Sequence, residues 1–136
     1  MTLEHEREDF IDRGVCEFGD LLGDLLATSP GAIGAVLSDG VDDTIDTAYR
    51  PAKISALDIS IAGAQVGQPM CRLNVSTIIF GLGRAQVVIE TPKNVLISKV
   101  LWERYLLTIV LDSSSNIARV MRDFDETAER ILELLR

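Results

Sequence analysis

The sequence of 136 residues contains little of the chemistry that enzymes and metal sites require, since it has one histidine and two cysteines. A nucleophilic triad needs a base held against its nucleophile, and the single histidine, His5, lies among acidic residues near the N-terminus. Cys16 and Cys71 are too far apart for zinc-ligand spacing and too few for a disulfide framework. We therefore predict no catalytic residues, no metal, no cofactor and no enzyme activity. Both cysteines are predicted to be buried free thiols in helices.

The sequence also lacks a secretory signal, a membrane-spanning run and an excess of basic residues. Its first ten residues include four acids where a signal peptide is basic and then apolar, and the least charged stretch, 54–83, is interrupted by Asp58, Pro69 and Arg72. A net charge of −8 disfavours nucleic acid and anionic membranes as partners, because both attract Lys and Arg. We therefore expect a cytoplasmic protein with no nucleic-acid partner and no direct membrane insertion.

What the sequence does contain is the composition of a folded domain, with 47% hydrophobic and 25% charged residues. The length fits one domain, so we assign 1–7 to a flexible N-terminus and 8–136 to a single domain. The acidic residues lie mainly towards the ends of the chain. Residues 1–26 hold eight acids and two bases, whereas residues 53–111 hold three acids and six bases.

Apolar periodicity and turn residues predict the element order α-β-β-α-β-β-β-α. Helices are predicted at about 6–27, at 54–81 and from Ser114 or Ser115 onward, and strands at 32–38, 44–50, 85–90, 94–101 and 105–112. The last strand is almost wholly apolar, which predicts a central strand buried on both faces. Short connections favour one antiparallel sheet of about five strands with helices on both faces, an α/β fold of the α+β sandwich type.

The second predicted helix lacks the charged stripe that a helix facing water normally shows. No charged residue lies between Asp58 and Arg72, and none follows until Arg84. Gly63 and Gly67 have the G-x-x-x-G spacing, which lets another backbone approach closely or lets the helix pack on the protein's own sheet. A helix without a charged face is expected to pack against other structure on both sides. We predict that the sheet covers one face and the same helix of a second copy covers the other.

Two local features of these segments allow more than one interpretation. Pro69 is expected either to kink the second helix or to split it into two. Asp39, Asp42, Asp43 and Asp46 have oxygens that suit a hard cation such as Ca²⁺, but the spacing of a calcium loop is absent. We interpret them as a solvated polar turn between the first two strands.

The order of these patterns resembles the roadblock / dynein light-chain family, whose domains are longin-like. The segments that carry the resemblance are PGAIGAVLSDGVDDTID, a neutral helix ending in GLG, AQVVIET and YLLTIVLDSSSNIARV. Two departures from the family pattern are Ala118, where a glycine is frequent, and a longer central helix that carries Pro69.

The resemblance implies a bacterial or archaeal type of regulator, which is a homodimer that binds a small Ras-like GTPase as a scaffold or as an activator. Roadblock domains pair through the central helix and the strand after it. The expected dimer-interface residues are Leu57, Ile61, Gly63, Ala64, Gly67, Val87 and Ile89. Polar residues at or beside that helix are the candidate contacts for the GTPase, namely Lys53, Ser60, Gln65, Gln68 and Arg84. None of them is assigned as an arginine finger.

Two other functions remain open from the sequence. A structural dimerisation adaptor without a GTPase partner would use the acidic terminal helices to recognise a basic partner. A profilin-like sensor of small molecules would need a lined pocket, and aromatic residues make up only 5% of the chain.

Overall fold

The computed structural model of the chain describes residues 10–39, 43–102 and 104–136. The expected flexible segment 1–7 and Asp42 lie outside the described residues. The described elements are α1 (Glu17–Thr28), β1 (Ala32–Ser38), β2 (Thr44–Tyr49), α2 (Ala56–Ile79), β3 (Gln86–Glu90), β4 (Asn94–Val100), β5 (Leu106–Asp112) and α3 (Ile117–Leu135).

The five strands form one antiparallel sheet in the order β2-β1-β5-β4-β3. The fold class and the antiparallel pairing predicted from the sequence are confirmed. The apolar strand β5 lies at the centre, and every residue from Leu106 to Leu111 is buried. At the other extreme, β3 lies at an edge of the sheet and pairs with β4 alone among the described strands.

The helices make this sheet the middle of three layers. α1 and α3 cover one face, where the largest cluster of buried side chains includes Leu22, Leu107 and Phe124. α2 covers the opposite face by itself, with Ile59 packed near Val36 and Val110. Because no described helix lies beyond α2, its far side faces solvent, which makes α2 the helix to examine for a binding surface.

The described part of the first predicted helix begins at Glu17, so the helix predicted over 10–16 is wrong, and its predicted start near Glu6 lies outside the described residues. Asp12 exchanges two backbone hydrogen bonds with Tyr49, at 2.8 and 3.0 Å, and this bridge replaces the helix there. Val15, which lies within the helix predicted at about 6–27, is 95% exposed. Cys16 is the N-cap of α1 and is exposed, which also overturns the prediction that it is buried in a helix.

Asp46 explains where α1 begins, and it is not part of a solvated turn. Its carboxylate is buried and accepts hydrogen bonds from the backbone N–H groups of Cys16 at 3.0 Å and of Gly19 at 2.9 Å. It also accepts bonds from Val15 N–H, Thr47 N–H and the Cys16 thiol. Free N–H groups and the positive end of the dipole at a helix N-terminus favour a carboxylate there. Asp46 therefore anchors α1 to β2.

These contacts also set the ionisation of Asp46 and Cys16. Burial raises the pKa of Asp46, but the hydrogen bonds from the Cys16 thiol and from backbone N–H groups outweigh it and hold that pKa below its ordinary value. Partial desolvation of the sulfur, which adjoins the protein although Cys16 as a whole is exposed, and its bond to Asp46 raise the pKa of Cys16. The carboxylate is thus charged and the thiol neutral at pH 7.

The ends of the other two helices refine the sequence predictions. α2 continues without interruption through Pro69, so the proline does not split it. Ser55 caps its first turn by accepting from Asp58 N–H at 3.0 Å, and Gly81 follows its end with φ +72°. The predicted serine cap of α3 is wrong, because Asn116 is its N-cap and accepts from Arg119 N–H at 3.2 Å.

Candidate protein interaction site

The side of α2 that faces away from the sheet carries a row of exposed, mostly apolar residues, here called the outer stripe. Its largest members are strongly exposed, with Leu57 at 68% and Ile79 at 72%. Its other large aliphatic residues, Ile61 and Val75, are also exposed. The complete outer stripe comprises Leu57, Ile61, Ala64, Gln68, Arg72, Val75 and Ile79. Three of the predicted dimer-interface residues, Leu57, Ile61 and Ala64, belong to it.

The two glycines of the same prediction lie on the opposite side of the helix. Gly63 and Gly67 are buried against the sheet together with Ile59 and Met70. A methyl group added at Gly63 would lie 2.8 Å from Cγ1 of Val36. The G-x-x-x-G spacing therefore lets α2 approach its own sheet, which is the second packing that the sequence allowed, and Gly63 and Gly67 lie away from the exposed side of the helix.

An apolar groove of about 250 Å³ separates α2 from the edge strand β3. Pro69 and Leu73 form its helix side, while Val87 and Ile89 form its sheet side. The complete lining is Gln65, Val66, Pro69, Met70, Leu73, Val87, Ile89 and Ser98. Val87 and Ile89 are the two predicted interface residues that the structure places here, beside the unpaired edge of β3.

The turn after α2 adds the most exposed apolar side chains of this region. Phe80 is 76% exposed and Leu82 is 75% exposed. Gly81 and Gly83, with φ of +72° and +87°, turn the chain around them. Buried Asn74 fixes the end of this turn, because its side-chain oxygen accepts from Ala85 N–H at 2.8 Å. We did not predict Phe80 or Leu82 as site residues, although the uncharged run from Ile78 to Leu82 was the available signal.

The five polar residues predicted to contact a partner are spread over a long distance. Lys53 and Arg84 lie beyond opposite ends of α2, which has 24 residues and is therefore about 36 Å long. Between them, Ser60 is half-buried, Gln65 lines the groove and Gln68 lies at the middle of the outer stripe. The structure therefore does not gather them into one compact site.

The chemistry of the described residues gives no sign of a reactive centre near this surface. No three His, Cys, Asp or Glu side chains within the described ranges come together as metal ligands. Cys71 is a half-buried free thiol, and burial raises its pKa despite the opposing charge of Arg104. Among the helices that the structure describes, none is long and apolar enough to cross a bilayer.

No family model and no curated protein matches the chain by sequence. Solved structures do match, and one is a roadblock/LC7 domain from Streptomyces avermitilis, with a TM-score of 0.71 and 15% identity over 85% of this chain and 94% of that chain. The chain thus has the roadblock/LC7 fold, as the sequence resemblance implied.

Within that fold, the chain is similar to structures of MglB. The gliding protein MglB from Thermus thermophilus matches with a TM-score of 0.73 and 15% identity, over 98% of this chain and 91% of that chain. An MglB described in a tetrameric arrangement matches with a TM-score of 0.73 and 17% identity, over 85% of each chain.

Proposed function

We propose that this chain is a non-catalytic regulatory adaptor that forms a homodimer and binds a small Ras-like GTPase. The observation that carries the proposal is the apolar groove beside α2, which is continuous with the unpaired edge of β3. An exposed sheet edge flanked by apolar side chains is a template for pairing with another strand.

A two-fold axis perpendicular to the sheet would let one contact both cover the apolar groove and pair the exposed edge of β3. The β3 strands of two copies would pair antiparallel, which extends the five-stranded sheet of each copy into the other. The same axis would bring the two α2 helices side by side on one face of the joined sheet. Leu73 and Pro69 of each copy would then be covered by the partner's helix, and the turn at Phe80 would approach the start of that helix.

The GTPase part of the proposal rests on the family resemblance and on the similarity of fold to MglB. The candidate contacts on each copy are Ser60, Gln65 and Gln68, with Lys53 and Arg84 at the two ends of α2. None of these groups is assigned a step in hydrolysis. The adaptor would act by holding the GTPase in one conformation, which requires a higher affinity for one nucleotide state.

Sedimentation of an Ile89→Lys variant tests the dimer. Ile89 is 39% exposed in the groove, whereas Leu134, which is 46% exposed on α3, provides a matched control. We expect Ile89→Lys to produce monomers, because pairing would bury an uncompensated charge, and Leu134→Lys to keep the mass of the parent protein. An unchanged mass for Ile89→Lys would refute pairing through the groove.

Binding to purified small Ras-like GTPases from the same genome tests the partner. Each GTPase is loaded with GDP or with a non-hydrolysable GTP analogue and titrated onto the adaptor. Binding that depends on the nucleotide supports the proposal. A stable dimer that binds none of them in either state would contradict the GTPase role and leave the structural adaptor as the better hypothesis.

That alternative adaptor has its own structural basis in the acidic surface of α1. Glu17 and Asp20 are exposed there, and Asp24 forms an ion pair with Arg13 at 2.7 Å. Such a surface favours a basic partner. The groove beside α2, at about 250 Å³, is smaller than the 300–1,000 Å³ typical of ligand pockets, which disfavours it as a small-molecule site.

A further inference from the structure

The two edge strands of the sheet differ in what lies beside them. β3 pairs with β4 alone among the described strands, whereas β2 has a second neighbour on its outer side. That neighbour is the segment 12–16 before α1, here called the N-terminal strap. Asp12 of the strap and Tyr49 of β2 exchange two backbone hydrogen bonds, at 2.8 and 3.0 Å. The outer edge of β2 is therefore already occupied by a segment of the same chain.

The other end of the strap is held by the side chain of Asp46. The backbone N–H groups of Val15 and Cys16 donate to that carboxylate at 3.3 and 3.0 Å. Between the two ends, the backbone of the strap lies against β2, because a methyl group added at Gly14 would be 2.6 Å from the carbonyl oxygen of Thr47. The strap therefore runs antiparallel along the C-terminal part of β2 and covers its outer backbone groups.

Arg13 attaches the middle of the strap to α1. Its guanidinium donates to the backbone oxygen of Asp20 at 3.0 Å and to the carboxylate of Asp24 at 2.7 Å. Its aliphatic stem lies over Gly23, where an added methyl group would be 2.6 Å from Cγ of the arginine, and its backbone carbonyl lies against Gly19. Two glycines one turn apart on α1 thus make room for the strap, which is held mainly by polar contacts.

We propose that the N-terminal strap prevents β2 from pairing with a strand of another chain, and so restricts strand pairing between copies to β3. Without the strap, β2 would be a template for such pairing, because its sequence TIDTAY favours a strand and contains neither proline nor lysine. The strap does not offer a new edge in its place. It forms a single bridged pair with β2, and Gly14, with φ +73°, turns its backbone.

The strap also decides whether an assembly built on the sheet closes. A dimer joined through β3 has a β2 strand at each end of its joined sheet. With both β2 edges free, dimers would add end to end, and repeated pairing of this kind gives an open chain of copies. Covered β2 edges end the sheet, so the dimer stays closed. This consequence rests on the proposed dimer, whereas the covering of β2 does not.

Two substitutions combined in the full chain should release the strap. Asp12→Pro removes the N–H group that donates to Tyr49, and Arg13→Glu replaces an ion pair with Asp24 by repulsion. We expect amide hydrogen exchange at Tyr49 to become at least about tenfold faster, and sedimentation velocity to show assemblies that exceed the parent mass and grow with concentration. Arg122→Glu, which makes the same charge change at an exposed site on α3, is the control and should alter neither measurement.

A third substitution, Thr47→Pro, locates the new contact at β2. Backbone groups of alternate residues in an antiparallel strand point to the same side, so the N–H of Thr47 points outward like that of Tyr49. Proline removes this outward donor and leaves the bonds to β1 in place. Added to the double variant, it should restore the parent mass, with circular dichroism to verify folding and Thr47→Lys as a second edge-blocking change. Large assemblies that persist with both changes would overturn the inference.

The other outcomes separate this inference from the proposed function. If Tyr49 exchanges faster in the double variant but the mass stays that of the parent, the strap does not prevent pairing and the inference is refuted. If neither measurement changes, Asp12 and Arg13 do not hold the strap, which also refutes it. With Ile89→Lys added, the double variant should stop at dimers joined through β2. Assemblies that still grow would contradict the proposed dimer through β3 and leave the role of the strap supported.

Discussion

Asp46 accepts a hydrogen bond from the backbone N–H of Gly19 at 2.9 Å, which ties the second strand to the first turn of α1. The two residues are 27 positions apart, and the bond is buried. There is no room for a side chain at Gly19, because an added methyl group would collide with the backbone of Arg13 and with the same carboxylate. The anchor therefore needs both the acid and the glycine.

Replacing Asp46 with asparagine should destabilise the fold. An amide keeps one accepting oxygen but presents an NH₂ group to N–H donors, so some of the bonds from residues 15–19 are lost. We expect a loss of about 1.5–3 kcal/mol in the free energy of unfolding, the range for hydrogen bonds to a charged group, measured by urea denaturation. Asp43→Asn, an exposed change just before the same strand, is the control and should stay within about 0.5 kcal/mol.

The same contact predicts how stability depends on pH. Because the folded-state pKa of Asp46 is lowered from 3.8, its contribution is fully present above that value and is lost as pH falls through the folded pKa. The stability difference between the parent protein and Asp46→Asn should be constant near neutral pH and shrink below pH 3.8. A difference that grows on acidification would show that the carboxylate is not stabilised by these bonds.

Gly63→Ala tests whether the close approach of α2 to the sheet is internal to one chain. An alanine at an exposed helical site would be stabilising, but here its methyl group would meet Val36 at 2.8 Å. Overpacking of this kind costs about 1–3 kcal/mol, which thermal denaturation would detect. The mass of the folded protein should not change, and a variant that unfolds normally but fails to associate would place Gly63 in an interface instead.

The N-cap of α3 is tested by Asn116→Ala. Its side chain accepts from Arg119 N–H at 3.2 Å, and removal of such a cap costs about 1 kcal/mol. Ser114→Ala, two residues earlier and exposed, should leave the free energy of unfolding within about 0.5 kcal/mol. Equal losses of unfolding free energy for Asn116→Ala and Ser114→Ala would favour the serine cap predicted from the sequence.

The success of the sequence predictions differs between elements for a physical reason. The predicted strand at 32–38 matches β1 residue for residue, since alternation and turn residues are local signals. The helix predicted over 10–16 was wrong because the apolar spacing of Ile11, Val15 and Phe18 fits a helix, whereas a bridge from Asp12 to Tyr49 decides the backbone there. No local pattern in residues 10–16 indicates that Asp12 pairs with Tyr49, which lies 37 residues further along the chain.

For the candidate site as well, the sequence predicted some features, whereas others depend on contacts between distant segments. The missing charge between Asp58 and Arg72 drew attention to α2, whose outer side is exposed in the structure. The spacing of Gly63 and Gly67 predicted close packing of α2, but not whether α2 packs closely on its own sheet or on a second copy. Residues near Phe80 were missed because an apolar run before two glycines is equally typical of a buried helix end.

The sequence by itself determined the order of the elements, the central position of β5 and the lack of charge on α2, because each follows from residue spacing and turn chemistry along the chain. The tertiary structure alone decided that Gly63 faces Val36, that Leu57 and Ile79 face solvent, and that β3 pairs on one side only among the described strands. These depend on which distant segments pack together, and the rotation of α2 on the sheet is set by that packing.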